Sequence, residues 1–237
     1  MSETARLDLP LVAAAQAQKH VTVNEALSRI DAAIQITVES RLETTPPILA
    51  DEGESYLVAN GAVNAWEDRD GQIASFIGGG WIFLAPMTGW QVFVTDESKR
   101  ITFDGSFWID DLLAVSPGRA AMGAEVIERD IVLTAGGLVE TGFMIAPNTS
   151  VFAVTGRVLE TITGTVSSWS LGVVGSASRY GSSLGLAKDS YILGLSGQPL
   201  AYYAATRLQL QADGGDFAGG TVRLAVHLLR FEPPDAV

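Results

Sequence analysis

The chain contains no cysteine and only two histidines, His20 and His227, among its 237 residues. Without cysteine it can form neither a disulfide framework nor a thiolate zinc site, and it has no cysteine nucleophile. A serine-type triad needs a histidine base that an acid orients, and neither histidine lies in a motif of that kind. The sequence holds no run of about eighteen apolar residues and no signal-peptide pattern at residues 1–10. We therefore expect a protein without enzymatic activity, cofactor, metal site or membrane insertion.

Basic residues are scarce as well. Lysine and arginine number 15 against 27 acidic residues, which gives a net charge of −12. The imbalance is concentrated at one end of the chain, because residues 1–113 hold 17 acids and 7 bases while residues 114–237 hold 10 acids and 8 bases. Such acidity repels the phosphates of nucleic acids. The sequence therefore predicts no nucleic-acid partner.

The residues that are abundant indicate a folded protein rich in β-structure. Hydrophobic residues make up 47% of the chain and charged residues 18%, a composition that favours a packed core over disorder. Many of the 25 glycines separate short apolar runs. This arrangement is typical of short strands joined by tight turns.

Residues 1–43 are rich in alanine, glutamine and leucine and are predicted to be helical. Thr22 and Glu25 have the spacing of a capping box. Apolar residues then follow a 4-3-4 spacing at Val23, Leu27, Ile30 and Ile34. Such a stripe packs either against its own domain or in a parallel bundle of two or three chains, and isoleucine at successive seam positions favours more than two. We assign this segment to docking and oligomerisation, and these four residues to the contact between copies.

Residues 44–113 contain a short internal repeat with the pattern F-x-G-x-x-W-I. It begins at Phe76 and again at Phe103. A strand that ends in an aromatic residue, a glycine turn and a returning strand opened by tryptophan predict a β-hairpin in each copy. The zone is therefore expected to be a small meander with a structural role for its tryptophans, rather than a binding stripe. These tryptophans are Trp66, Trp81, Trp90 and Trp108.

The remaining sequence predicts a linker at residues 114–125 and an antiparallel β-sandwich of the jelly-roll kind at residues 126–237. The clearest strand runs from Thr221 to Leu228, where apolar residues alternate with polar ones and are expected to face inward. A glycine turn at 213–216 precedes this strand, and we expect a turn there rather than a calcium site.

Several motifs, taken in order, resemble a known family. The quoted residues are Leu9-Pro10-Leu11, Gln16-Ala17-Gln18-Lys19, Asn24-Glu25-Ala26, Gly53, Tyr56, Val58, Trp66, Gly71-Gln72-Ile73-Ala74, Trp81, Pro86, Gly89-Trp90 and Phe103-x-Gly105-x-x-Trp108. Residues 4–110 resemble a domain family of unassigned function that occurs in alphaproteobacterial prophages and gene transfer agents. The final third is similar to the module that often follows this domain.

The resemblance implies a fibre or spike subunit on the surface of a phage-like particle that is assembled in the cytoplasm and released by lysis. It implies a homotrimer, attachment to host cells, and contact with other particle proteins through the N-terminal motif residues. We assign this docking role to Leu9, Pro10, Leu11, Gln16, Gln18 and Lys19.

A host-surface polysaccharide is the expected ligand of the C-terminal zone. Aromatic rings match the C–H faces of sugars, and neighbouring charged groups can bond the hydroxyls. We assign this role to Trp169, Arg179, Tyr180, Asp189, Tyr202 and Tyr203. Of the consecutive Tyr202 and Tyr203, one ring should face the core and the other the surface.

Two other functions are compatible with the sequence. One is a purely structural adaptor of the particle that has no contact with a host. The other is a capsule-degrading glycosidase, which would need two carboxylates flanking a cleft. Acidic residues cluster at 51–54, 67–70 and 110–111, in turn-like stretches where carboxylates usually stabilise turns.

Overall fold

A computed structural model of the chain describes residues 3–13 and 19–236, with Lys19 described in its backbone only. The chain divides into two compact units, Met1–Leu112 and Leu113–Val237, which we call the first unit and the second unit. The protein is mainly β, with one short N-terminal helix and several antiparallel sheets. This confirms the predicted fold class.

In its described residues, 3–13 and 19–112, the first unit contains one α-helix, a short 3-10 turn at Asn64–Trp66 and two small sheets. Its elements are α1 (Lys19–Ala33), β1 (Thr37–Val38), β2 (Ser55–Leu57), β3 (Ile73–Ile77), β4 (Gly80–Leu84), β5 (Gln91–Val94), β6 (Lys99–Phe103) and β7 (Trp108–Asp110). One sheet has the order β1-β5-β6-β7 and the other the order β2-β3-β4. The strands pair antiparallel except for β1, which runs parallel to β5.

The N-terminal segment is less helical than the sequence suggests. Only 15 residues form α1, and the chain then enters β1, where Ile36 and Val38 are buried in the core of the first unit. Thr22 lies inside the helix, so the predicted capping box at Thr22 and Glu25 is wrong. Residues 1–43 are therefore part of the first unit rather than a separate helical segment.

Both copies of the F-x-G-x-x-W-I repeat form the predicted β-hairpins. Phe76 of β3 is the direct cross-strand partner of Trp81 on β4, and Phe103 of β6 is the partner of Trp108 on β7. The ring centroids are 5.2 Å apart in each pair. Aromatic cross-strand pairs stabilise antiparallel strands, so the repeat encodes the same local contact twice.

The four tryptophans of the first unit have structural positions, as predicted. Trp66 is fully buried, and its ring centroid lies 5.4 Å from that of Tyr56 and 5.1 Å from that of Trp81. The remaining two, Trp90 and Trp108, are half-buried against a second apolar cluster. None of the four is therefore free to form an exposed stripe.

The second unit contains nine strands in two sheets. They are β8 (Leu112–Val115), β9 (Ala121–Val132), β10 (Leu138–Ile145), β11 (Thr149–Gly164), β12 (Ser168–Val173), β13 (Ser176–Leu184), β14 (Tyr191–Tyr202), β15 (Thr206–Asp213) and β16 (Phe217–Glu232). The sheet orders are β14-β11-β16-β9-β8 and β10-β15-β12-β13. Successive strands from β9 to β16 lie in opposite sheets, except for the β12–β13 hairpin within one sheet. This arrangement is the jelly roll that the sequence predicts, with β8 added at one edge.

The alternation of the last strand is confirmed. Val222, Leu224, Val226 and Leu228 all point into the core between the two sheets. Residues 114–125, by contrast, do not form the predicted linker. They contribute to β8 and to the start of β9, with a tight turn at 116–120 where Arg119 donates its backbone N–H to Ser116. The proline and glycine of this stretch belong to a hairpin turn rather than to a domain boundary.

Candidate functional site

A buried carboxylate fastens residues 3–13, which we call the N-terminal arm, to α1. Asp31 is fully buried, and its two oxygens accept hydrogen bonds from the Thr4 hydroxyl at 3.0 Å, the Arg6 backbone N–H at 3.0 Å and the Leu7 backbone N–H at 2.7 Å. The Arg6 guanidinium also donates to the carbonyl oxygens of Asp31, Ala32 and Gln35. A cation that bonds the last carbonyls of a helix stabilises its C-terminus. These polar contacts determine which side of α1 faces the first unit.

The apolar stripe of α1 is adjacent to Asp31, since Leu27 lies one helical turn before it on the same face, yet most of the stripe is exposed to solvent. Val23, Ile30 and Ile34 are each more than 40% exposed, and Leu27 is half-buried. Ile34 follows the last helical residue. A helix in a monomeric protein normally buries its apolar side and exposes its polar side. Here a carboxylate is buried while isoleucines are exposed, so the stripe is available to a partner.

The predicted docking residues fall partly within the described chain. Leu9 is half-buried and its carbonyl accepts a hydrogen bond from the Thr4 backbone N–H at 3.0 Å. Pro10 is exposed and forms an isolated bridge with Glu3, and Leu11 is half-buried. Gln16 and Gln18 lie outside the described residues, as does the side chain of Lys19.

Two of the residues predicted to bind glycan are part of the core. Trp169 is fully buried on β12, and its indole N–H donates to the Gly185 carbonyl at 3.0 Å. Tyr180 is 2% exposed, and its hydroxyl lies 2.6 Å from that of Tyr202. Burial and this hydrogen bond raise the pKa of Tyr180. Because neither ring reaches the surface, we remove Trp169 and Tyr180 from the candidate site.

Tyr202 and Tyr203 divide between core and surface as expected. Tyr202 packs at the margin of the core, whereas Tyr203 is 82% exposed in the connection from β14 to β15. Arg179 is exposed on β13, on the face opposite to Tyr180. Asp189 is also exposed, but it precedes β14 whereas Tyr203 follows it. The ends of β14 pair with Arg157 and Thr149 on β11, which are about 26 Å apart along that strand. The six predicted residues therefore do not form one site, and Tyr203 is the exposed ring that remains.

The first unit contains a shallow cleft that the sequence did not suggest. Its volume is about 740 Å³, and it is lined by Asn60, Phe107 and Trp108, among others. Phe107 is 68% exposed at its rim. Two aromatic residues are adjacent at 107–108, and the repeat pattern explains only Trp108. The unexplained Phe107 is the sequence feature that indicates an exposed ring here.

Arg41, which also borders this cleft, is committed to two carboxylates. Its guanidinium forms bidentate ion pairs with Asp110, at 2.5 and 2.9 Å, and with Glu97, at 2.6 and 2.7 Å. The hydrogen bonds to Asp110 and then to Glu97 raise the pKa of Arg41 further above its already high value. Since its donors are already occupied, Arg41 stabilises the fold rather than a bound anion.

Two of the three acidic clusters, 51–54 and 67–70, stabilise turns, as their positions predict, whereas Asp110 of the third pairs with Arg41. The Glu52 carboxylate accepts the backbone N–H groups of Gly78 and Gly79, both at 2.9 Å. That of Asp70 accepts the N–H groups of Gly61 and Ala62, at 2.8 and 3.1 Å. These two hydrogen bonds lower the pKa of Asp70. Both carboxylates are therefore used in holding loops of the first unit in place.

The histidines do not form a catalytic arrangement in the part of the chain that is described. His227 lies on the outward face of β16, where its Nε2 is 2.9 Å from the Thr155 hydroxyl. Among residues 3–13 and 19–236, no group of three or more metal-ligating side chains comes together. No helix within these ranges is long and apolar enough to cross a membrane.

Comparison with known proteins gives a family match and weak structural similarity. Residues 23–109, within the first unit, match the family described as "Protein of unknown function (DUF2793)". No curated protein matches. Three chains of solved structures match, among them a chain of the cyanophage Pam1 capsid asymmetric unit, with 19% identity over 49% of this chain and 92% of that chain and a TM-score of 0.30. A similarity of this size carries no argument about function. The family match confirms that this region resembles a domain of unassigned function.

Proposed function

We propose that this chain is a non-catalytic fibre or spike subunit of a phage-like particle, either a prophage or a gene transfer agent. The observation that carries the proposal is the exposed apolar stripe of α1, on a helix that the buried Asp31 fastens to the N-terminal arm. A subunit that assembles through its leading helix needs such a stripe facing outward. The motifs of the first unit, which resemble a prophage and gene-transfer-agent family, support the kind of particle.

The stripe favours a parallel trimer of the chain. Val23, Leu27, Ile30 and Ile34 keep the 4-3-4 spacing of a coiled-coil seam, and isoleucines at successive seam positions favour more than two strands. The N-terminal arm is hydrogen-bonded to this helix and carries three of the residues assigned to docking on other particle proteins, Leu9, Pro10 and Leu11.

Host attachment through a cell-surface glycan is assigned to the second unit. Tyr203 offers an exposed ring on a connection between strands, and loops on a rigid scaffold are where binding residues are concentrated. A single ring gives weak binding. Three copies per spike and several spikes per particle act together, and avidity can exceed single-site affinity by about 10² to 10⁴.

Adsorption to host cells tests the glycan assignment. The labelled protein would be incubated with cells of candidate alphaproteobacterial hosts and with polysaccharide purified from them. Tyr203→Ala should lower adsorption at least tenfold with an unchanged melting temperature, whereas Phe231→Ala, which also truncates an exposed ring of the second unit, should leave it unchanged. Equal adsorption of the two variants would remove Tyr203 as the site.

A structural adaptor without host contact is the second candidate. The burial of Trp169 and Tyr180 favours it, because it leaves fewer rings for a sugar. Wild-type protein that forms trimers but adsorbs neither to cells nor to their polysaccharide would support the adaptor and contradict host attachment.

A further inference from the structure

The outward face of the five-stranded sheet in the second unit carries an apolar ridge. Tyr191, Leu193 and Leu195 alternate along the edge strand β14 and are 63–72% exposed, while Ile192 between them is buried in the core. A strand of a sandwich that faces water on one side alternates apolar and polar residues. This segment is apolar on both faces, which is typical of a strand that is covered on both sides.

Next to the ridge, the same face contains a recess with a floor of small side chains. On β11, Thr155 is the direct partner of Leu193 and Ala153 that of Leu195, while Tyr191 pairs with Arg157. On β16, Ala225 and His227 pair in turn with Thr155 and Ala153. Ala153 and Ala225 are buried by their larger neighbours. A depression of about 460 Å³ lies here, lined by Thr155, Leu193 and Ala225 among others. Ridge and recess therefore stand side by side on one face.

Positive and negative charges balance on this face, so electrostatic repulsion does not prevent contact with another copy of the chain. Arg157 and Arg223 are matched by Glu128 and Asp130, and Arg223 binds Asp130 with hydrogen bonds of 2.6 and 2.8 Å. The second unit as a whole has 8 bases and 10 acids at residues 114–237. Like-charge repulsion, which opposes contact between the acidic first units, is nearly absent here.

The face is also large enough for a stable interface between two copies of the chain. Four strands about 4.8 Å apart and about 12 residues long, at about 3.3 Å per residue, cover roughly 800 Å². A stable protein interface buries about 800 Å² on each partner.

The opposite sheet shows what a solvated face looks like in this protein. On its outer side Glu140 pairs with Gln209 at 2.7 Å, and Ser170 donates to Asp213 at 2.9 Å. Its exposed ring, Phe143, is covered by the Arg207 guanidinium at 4.5 Å from the ring centroid. Polar contacts of this kind do not cover Tyr191, Leu193 or Leu195 in the other sheet.

We propose that this face is an interface between copies of the chain, in which the ridge of one copy packs into the recess of the next. The inference rests on the self-association proposed above and adds a second contact to the one made by α1. Because the ridge and the recess are different surfaces, the contact is head-to-tail, and such contacts close into a ring when the rotation allows it. In the trimer proposed above, three ridges occupy three recesses.

Engineered cysteines test the geometry directly, since the native chain has none. Leu193→Cys combined with Ala225→Cys places one thiol on the ridge and one in the recess. Within one copy these positions are two strands apart, about 9.6 Å, which is beyond the span of about 7 Å that a disulfide can bridge. Oxidation should therefore link copies and give covalent trimers on a non-reducing gel, whereas either single variant should remain mostly uncrosslinked.

The opposite sheet supplies a matched control. Leu138→Cys combined with Ser170→Cys has the same separation across β10, β15 and β12, with one exposed and one buried position. This pair should not crosslink. Equal crosslinking of both pairs, or efficient crosslinking of Leu193→Cys alone, would overturn the head-to-tail contact.

The outcome separates this inference from the proposed function. A protein that has the mass of a trimer but does not crosslink through the ridge pair would contradict this interface and leave assembly through α1 intact. A protein that has the mass of one chain would contradict both. In a dilution series, Leu193→Lys should raise the concentration at which the trimer dissociates at least tenfold, while Leu138→Lys should not.

Discussion

Replacing Asp31 by asparagine removes the charge that holds the N-terminal arm against α1. Asp31 accepts three hydrogen bonds in a fully buried position. Hydrogen bonds to charged groups contribute about 1.5–3 kcal/mol each, and a buried donor left without a partner costs about 1–3 kcal/mol. Asparagine has one acceptor oxygen, and its amide N–H₂ would face other donors. We expect Asp31→Asn to lower the free energy of unfolding of the first unit by about 3–5 kcal/mol.

Urea denaturation followed by tryptophan fluorescence is the suitable assay. Four of the five tryptophans, Trp66, Trp81, Trp90 and Trp108, lie in the first unit. With a slope of about 1.5 kcal/mol per molar urea, a loss of this size lowers the midpoint by about 2–3 M. Asp68→Asn, at an exposed position, is the control and should shift the midpoint by less than about 0.5 M. Equal midpoints for the two variants would refute the role assigned to Asp31.

Two further predictions concern the two units separately. In the second unit, a Cβ at Gly172 would lie 2.0 Å from the Ser176 carbonyl oxygen, whereas one at Gly142 would meet nothing within 4 Å. Gly172→Ala should therefore destabilise the protein by about 3 kcal/mol or more and Gly142→Ala by less than about 1 kcal/mol in thermal melts, and similar melting temperatures would contradict the close packing of β12 on β13. In the first unit, the lowered pKa of Asp70 means that its ionised carboxylate stabilises the folded state. This stabilisation is present above the unfolded-state pKa of about 4 and is lost as the pH falls through the folded-state pKa. Asp70→Asn should thus be less stable than the wild type at pH 6 but equally stable at pH 2, and a difference that persists at pH 2 would contradict this assignment.

The parts of the fold that follow from local periodicity could be predicted from the sequence. The inward orientation of the apolar residues from Val222 to Leu228 follows from the alternation of apolar and polar residues along the strand. The two hairpins follow from the glycine turn between the phenylalanine and the tryptophan of each repeat. The same rule could have placed Trp169 in the core, because Leu171 and Val173 continue its side of the strand.

Other features depend on contacts between distant parts of the chain and have no local signal. Asp31 is one of two acids in α1, and only its contacts with the arm at residues 4–7 explain its burial. The edge strand β13 is composed mostly of small and polar residues, and its pairing with β12 determines its position. The ridge on β14 can be read as a core strand from sequence, and only the paired sheet shows that three of its side chains face outward.

The central claim is that copies of this chain assemble through the exposed stripe of α1. Light scattering coupled to size-exclusion chromatography of the purified full chain at micromolar concentration tests it most directly. The account predicts a mass of about 75 kDa, three times the 25.0 kDa of one chain, and a lower mass for Ile30→Lys. A wild-type mass of about 25 kDa at these concentrations would contradict it.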